Sequence, residues 1–405
     1  MTRVVVTGLG AVSACGIGAD ALWLAAREGR TAVRNVSFPK LPRQSVPKAA
    51  RITDESFEML LRGAQVRFQD RAAILALAAA REAVAQAGLT DADFGSQCGV
   101  IVGSGLGGAE TIDRNFTKFI ETPTARLDPM SVPKTMASSS ASWIAMEWGV
   151  TGPTYCISTA CSSSSQSIGL AADLVRSGAI NSAIAGGTEA LLFDSMFACW
   201  EALHVMTATE CRPFSLGRNG MVLGEGAGVV VLESLEFAQE RGANVLAEVV
   251  GYACTNDATD LLRPSAKGAA DCMRRTLQRS GLKLSDIGYV NAHGTGTIAN
   301  DQAESQALRE IFGEGLDQVA VSSTKPIHGH ALGAAGALEF IVTLCALREQ
   351  IAPPTINFLD VDPRIGLKPV PNVALPFSAP AAMTNSFAFG GINASLVVAL
   401  ADRPN

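Results

Sequence analysis

Apolar and polar positions along this chain follow two periods that alternate repeatedly. Val4 to Thr7 is a short β-branched run that breaks at Gly8-Leu9-Gly10. Val66 to Ala87 has the helical repeat, with Ile74, Leu75, Leu77, Ala78 and Val84 as an apolar stripe and Gly88 placed to close it. Cys98 to Gly103 predicts a buried strand ending in Gly-Ser-Gly-Leu-Gly-Gly. Ser162 to Ser177 predicts a small-residue helix, Ala183 to Gly187 a strand, and Gly226 to Leu232 a continuous apolar strand. Beyond residue 240 the alternation restarts, with strands at Leu246 to Ala253, Ile287 to Ala292, Val319 to Ser322 and Ala394 to Ala401. Between them Gly268 to Ser280, Asp301 to Phe312 and Ala334 to Gln350 read as helices.

Apolar strands crossed by helices predict an α/β fold with buried parallel sheets. The restart divides the chain into residues 1–240 and 241–405, in keeping with a length of 405 residues. The Pro-containing stretches Phe38 to Pro47 and Ala352 to Pro380 read as surface crossings.

Composition narrows the function classes. Apolar residues make up 48% and charged ones 17%, which excludes general disorder. A net charge of −6 argues against a nucleic-acid partner. The longest apolar runs, Ala72 to Ala80 and Phe340 to Leu347, fall short of the ~18 residues that a membrane helix needs. The opening MTRVVVTGLG lacks the pattern of a signal peptide. Nine cysteines without a C-x-x-C pair fit a reducing cytoplasm better than a disulfide framework.

Four histidines are few enough to weigh singly. His293 lies in Asn-Ala-His-Gly-Thr-Gly-Thr directly after a strand; His328 and His330 lie in Ser-Thr-Lys-Pro-Ile-His-Gly-His-Ala-Leu-Gly-Ala-Ala-Gly between a strand and a long helix. Strand ends of this kind are where α/β folds place active sites, so two histidines are expected to converge on one pocket. His204 reads as a surface or packing residue. Cys161, in Thr-Ala-Cys-Ser-Ser-Ser-Ser, sits at a strand-to-helix turn, where a helix dipole favours a thiolate and free N–H groups can hold an oxyanion. With two histidine turns beside it, Cys161 reads as the nucleophile and the other eight cysteines as packing.

Competing motifs are weaker. Gly103, Gly105 and Gly108 match G-x-G-x-x-G, but Thr111 to Ile120 is too polar for the packed crossover helix of a dinucleotide site. No P-loop and no G-x-S-x-G elbow is present. His328-x-His330 has no carboxylate or cysteine at ligand spacing, so no metal is expected.

Cys161 in TACSSS, His293 in NAHGTGT with Asp301 and Glu304 following, Lys325 and His330 in STKxxxGHxLGAAGALE, and the closing Asn385-Ser-Phe-Ala-Phe-Gly-Gly-Ile-Asn393 together resemble the β-ketoacyl-[acyl carrier protein] synthases of the elongating type. The resemblance runs over essentially the whole chain. It implies a thiolase fold, with two similar α/β halves in five αβαβα layers, usually as a homodimer. It also implies an acyltransferase with a Cys-His-His site and no metal or redox cofactor. By resemblance, Cys161 takes an acyl chain from acyl carrier protein. The N–H groups of Cys161 and Phe389 form the oxyanion hole, and His293 and His330 stabilise the enolate left when malonyl-carrier protein loses CO2. Lys325 supports the histidines, Glu339 belongs to their network, Thr295 and Thr297 contact the phosphopantetheine arm, and Phe389 gates the acyl pocket. Asp301 and Glu304 read instead as cap and ion-pair residues of the following helix.

Carrier proteins are acidic, and Arg62, Arg67, Arg71, Arg126 and Lys134 lie in segments that flank the entrance in this family, giving a candidate basic docking patch. Three departures bear on the pathway. Ile392 replaces the usual Thr of the closing motif, Ala388 replaces its first Gly, and Asn256-Asp-Ala-Thr-Asp-Leu-Leu-Arg-Pro264 lacks the usual His. TACSSS resembles polyketide more than fatty-acid condensing enzymes, so the pathway is left open between a fatty-acid role and a type II polyketide or polyene one. The alternatives are the catalytic half of a heterodimer with a chain-length factor, or a non-catalytic factor of that kind. The present cysteine disfavours the latter, His330 disfavours a Cys-His-Asn enzyme, and the closing Phe-Gly-Gly-Ile disfavours a degradative thiolase.

Overall fold

A computed structural model describes residues 2–41, 44–62, 65, 67–122 and 124–401. Ten strands carry the architecture: β1 (Val4–Ser13), β2 (Cys98–Gly103), β3 (Thr154–Ile157), β4 (Ser182–Glu189), β5 (Gly226–Ser234), β6 (Ala247–Asn256), β7 (Ile287–Asn291), β8 (Ala320–Ser322), β9 (Ala381–Ala388) and β10 (Ile392–Ala399). Seven helices bear on the site: α1 (Arg71–Ala87), α2 (Ala109–Glu121), α3 (Ser163–Arg176), α4 (Asp194–Ala202), α5 (Ala266–Ser280), α6 (Ile298–Phe312) and α7 (Ala335–Glu349).

The first five strands lie in the order β3-β2-β4-β5-β1 and the last five in the order β8-β7-β9-β10-β6. These are the same order twice, and the directions repeat as well. In each half three strands run parallel (β3-β2-β4 and β8-β7-β9) and the other two pair antiparallel. The expectation of parallel sheets is therefore corrected to mixed ones. A strand buried on both faces reads as the same apolar run whichever way it points. The two sheets touch along one edge, where Val5 and Val6 pair with Glu248 and Ala247.

Strand alternation divides the core into layers. In β5, Val229 and Val231 face a cluster with α1, whereas Val230 and Leu232 face the space between the sheets. That space holds α3 and α7, each packed on strands of both sheets, while α1 covers one outer face and α5 the other. The five αβαβα layers of the thiolase fold result.

The middle layer dictates its own composition. From Ala335 to Leu344 every residue of α7 is buried, and its apolar residues run all the way round. Close approach demands small residues. A Cβ on Gly336 would lie 2.0 Å from Ser165 Oγ of α3, and Ser165 and Ser386 hydroxyls bond at 2.8 Å.

The helix read as Val66 to Ala87 begins at Arg71, where the Asp70 carboxylate accepts the Ala72 N–H at 3.0 Å; Val66 lies outside the described residues. The strands β3 and β9 had no clear signal, being short in one case and following a proline-rich crossing in the other. The polar segment from Thr111 to Ile120 is helical, as α2, but lies on the surface with Phe116, Phe119 and Ile120 exposed. Among the described residues, no helix is long and apolar enough to cross a membrane.

Candidate active site

Each half brings candidate residues to the segment between its third strand and its central helix, and the second half adds His293 from the turn between β7 and α6. After β3 the chain makes one 3-10 turn, Ala160–Ser162, before α3; after β8 it makes the matching turn, Leu332–Ala334, before α7. The first residue of each turn has a left-handed backbone, with φ 51° at Ala160 and 47° at Leu332. Such a conformation costs a non-glycine residue about 1 kcal/mol or more and persists only where its surroundings hold it. The turn throws Cys161 forward at the head of α3 and sets His330 just ahead of the second turn.

The side chains converge. His330 Nε2 lies 3.2 Å from Cys161 Sγ. The His293 ring stands edge-on to the His330 ring, with centroids 5.4 Å apart and planes at 83°. Lys325 Nζ is 3.4 Å from His293 Nδ1 and forms a very short ion pair with Glu339. All five groups are buried.

Burial sets the protonation states. It pushes the Cys161 thiol up to about 12, against the opposing pull of Lys325 and the Phe389 N–H. Burial therefore favours the thiol over the thiolate that the sequence pattern suggests. Burial, then the Lys325 charge, holds both His293 and His330 well below their usual range, so both rings are neutral. Burial raises Glu339 to about 7, with Lys325 acting against it.

Cys161, His293 and His330 line a cleft with about 660 Å³ of space, part of it open to solvent. Trp200 of α4 and Phe389 form one wall, their rings stacked at 6.2 Å and 18°, with Met221 and Val205 beside them. Thr295 and Thr297 line another part, their hydroxyls 2.8 Å apart.

The N-terminal domain of the β-ketoacyl synthases matches residues 1–238, and their C-terminal domain matches residues 246–359. The chain belongs to the β-ketoacyl synthase family. Nodulation protein E of Rhizobium sp. (strain N33) is 40% identical over 397 residues, spanning 97% of this synthase and 98% of the relative. The 3-oxoacyl-[acyl-carrier-protein] synthase 2 of Staphylococcus aureus (strain COL) is 36% identical over 403 residues, 98% of this chain and 97% of that one. A solved structure, the ishigamide ketosynthase/chain length factor, superposes with a TM-score of 0.93 at 33% identity over 98% of this chain and 99% of that one. The synthase is an acyltransferase with the thiolase fold.

Two buried carboxylates hold the site's backbone. Glu304 of α6 accepts the N–H groups of His293 and Gly294 at 2.8 and 2.7 Å. Asp301 accepts those of Phe214 and Gly296 at 2.7 and 3.1 Å, with Arg218 3.6 Å away. The ion-pair reading of Asp301 fits Arg218, but neither residue caps its own helix; both brace the turn that carries His293. Glu189, absent from the sequence reading, accepts from Gly105 at 2.7 Å in one half and from Gly333 at 3.0 Å in the other. Burial raises Glu189 and Glu304 to about 7 each.

His328 stands apart: its Nε2 meets Thr324 Oγ1 at 2.9 Å and its Nδ1 the Gly329 carbonyl at 2.8 Å, so it shares no ligand direction with His330. His204 is exposed and does not line the cleft, although its neighbour Val205 does.

Two members of the basic patch need correction. Arg71 forks onto the buried Glu225 carboxylate at 2.9 and 2.7 Å, and Lys134 is buried against Asp128 at 2.8 Å. Their charges are spent inside the protein. Arg62, Arg67 and Arg126 remain exposed.

Proposed function

We propose that this synthase carries out a decarboxylative Claisen condensation on thioesters of acyl carrier protein. It would lengthen an acyl chain held on Cys161 by two carbons, in fatty-acid or type II polyketide or polyene assembly. The observation that carries the reading is the 3.2 Å contact of His330 Nε2 with Cys161 Sγ inside a cleft shared with His293. The carrier named for the S. aureus relative supports the substrate.

In the first half-reaction Cys161 Sγ attacks the thioester carbonyl. The Sγ–C bond forms, the carrier's C–S bond breaks, and the thiol proton passes to the departing carrier sulfur, which leaves as the free thiol. The N–H groups of Cys161 and Phe389 hold the oxyanion. In the second, malonyl-carrier protein loses CO2 and the electron pair settles on its thioester oxygen, where neutral His293 and His330 donate N–H groups. The enolate carbon attacks the acyl-Cys161 carbonyl, the C–C bond forms, and the sulfur leaves as a thiolate that solvent reprotonates. Lys325 and Glu339 fix the charge and orientation of the histidines, Thr295 and Thr297 contact the phosphopantetheine arm, and Phe389 gates the acyl pocket. This chemistry calls for no cofactor beyond the carrier's arm.

The chain divides at residues 240 and 241 into a half that brings the nucleophile and a half that brings the histidines. We place the protein in the cytoplasm, as its nine unpaired cysteines support. As partners we propose acyl carrier protein, docking on Arg62, Arg67 and Arg126, and a second subunit. The exposed Phe116, Phe119 and Ile120 of α2 and the exposed Tyr155 on edge strand β3 support a subunit interface. That subunit is a second copy of this chain or, as the ishigamide structure favours, a chain-length factor.

Intact-protein mass spectrometry of wild type and Cys161→Ala, after incubation with acyl-carrier proteins of varied length and unsaturation, tests the chemistry. A shift in wild type alone is expected; a shift that survives in the variant overturns Cys161 as nucleophile. Native mass, alone and after co-expression with neighbouring genes' products, separates homodimer from heterodimer.

A further inference from the structure

The cleft is lined almost entirely by apolar side chains, hydroxyls and neutral rings. Among the described residues lining it, Arg263 alone carries a fixed charge. Its side chain is exposed, and among the described residues no hydrogen bond or ion pair engages its guanidinium. The closest acid in sequence, Asp260, faces the chain instead: its carboxylate accepts the Leu262 N–H at 2.8 Å and the Arg263 N–H at 2.9 Å, and it feels the Arg263 charge without forming an ion pair with it.

The loop that presents Arg263 is fixed at both ends. Asp257 accepts the Ser265 N–H at 2.9 Å and the Asn393 amide at 2.7 Å. The Leu261 carbonyl accepts the Gly390 N–H at 2.8 Å, which ties the loop to the turn of Phe389. A cation engaged by no ion pair is thus held at the mouth of a cleft whose far end is a nucleophilic sulfur.

We propose that Arg263 binds the phosphodiester of the arm on which thioesters reach Cys161. The inference rests on the condensing reading and adds a residue to it. A pantetheine arm has its thiol at one end and its only charge, the phosphate, at the other, so a thiol at Cys161 leaves the phosphate at the cleft mouth. The planar guanidinium fork matches two phosphate oxygens. Leu261 and Leu262, exposed beside it, offer apolar contact to the dimethyl carbon next to the phosphate. A carboxylate of the carrier protein itself is the competing anion. Arg263 faces the cleft along with Thr295 and Thr297, and this favours the arm.

The test uses two arms that differ only in the phosphate, pantetheine and 4′-phosphopantetheine, free and as hexanoyl thioesters. Acylation of Cys161 is followed by intact mass. Wild type is expected to load from the phosphorylated thioester about fivefold to tenfold more efficiently, the range for a charge-assisted contact at an exposed site. Arg263→Gln should raise KM for that donor alone, leave kcat unchanged and abolish the preference, and Arg263→Lys should restore part of it. Equal use of the two donors by wild type overturns the proposal, as does an equal loss with both in Arg263→Gln. A loss confined to whole acyl-carrier protein overturns it as well, and assigns Arg263 to a protein carboxylate. Saturation-transfer NMR with the two free arms reads the same preference without chemistry, so a failure of Cys161 to acylate counts against the condensing reading and not against Arg263.

Discussion

His330 Nε2 and Cys161 Sγ sit 3.2 Å apart although 169 positions separate them in the chain. Because burial pushes the thiol up to about 12, the thiolate fraction rises about tenfold per pH unit over the whole accessible range. Alkylation of Cys161 by iodoacetamide, followed by peptide mapping, is expected to climb with that slope from pH 7 to 10 without a plateau. Lys325→Met removes the cation that lowers the thiol, so alkylation of that variant should be slower at every pH. A plateau near pH 8 in wild type would count against the buried-thiol picture.

Lys325 and Glu339 are a fully buried pair. Removing one partner of such a pair typically costs about 3–5 kcal/mol, because the other is left uncompensated. Lys325→Met should fall near the low end, since Glu339 can take up a proton. Adding Glu339→Gln to that variant should cost less than the sum of the two single changes, by more than ~1 kcal/mol in urea denaturation. Additive losses would mean that the pair is not coupled.

Glu304→Gln leaves one of the His293 and Gly294 N–H groups facing an amide that cannot accept from it. A loss of about 1–3 kcal/mol is expected, together with slower condensation as the His293 turn loosens. The folded-state carboxyl titrates near 7, above its usual 4.5. Its contribution to stability is therefore fully present below pH 4.5 and is lost as pH rises through 7. The stability gap between wild type and variant should accordingly be wider at pH 5 than at pH 8. A gap that widens with pH would refute the assignment.

Trp200 stands against Phe389 at the wall of the cleft. Trp200→Ala should open that wall and shift Cys161 loading toward longer acyl chains when a mixture of carrier thioesters competes. The read-out is the ratio of acyl-enzyme masses, and an unchanged ratio would place the chain-length limit elsewhere.

The site was legible where function sits in contiguous turns. The segments around Cys161, His293 and His330 each combine a strand end with small residues, and that pattern survives in one dimension. What stayed hidden depends on partners distant in sequence. Glu189 and Glu304 look like ordinary acids, and their use as acceptors for Gly105, Gly333 and the His293 turn is visible only once the layers are stacked. Arg71 looked available for docking because Glu225, its partner, lies 154 positions away. Strand direction was hidden for a different reason: burial selects residue type without regard to polarity along the chain.

The repeated strand order makes Gly333 the counterpart of Cys161, each following a left-handed residue at the head of a central helix. In this molecule the second turn carries a glycine where the first carries the sulfur, and its Gly333 N–H holds Glu189 of the other half. A cysteine at position 333 would not fit as it does at 161, because a Cβ there would stand 2.5 Å from the Glu189 carboxylate. Position 333 is thus closed to a nucleophile by the same carboxylate that links the two halves.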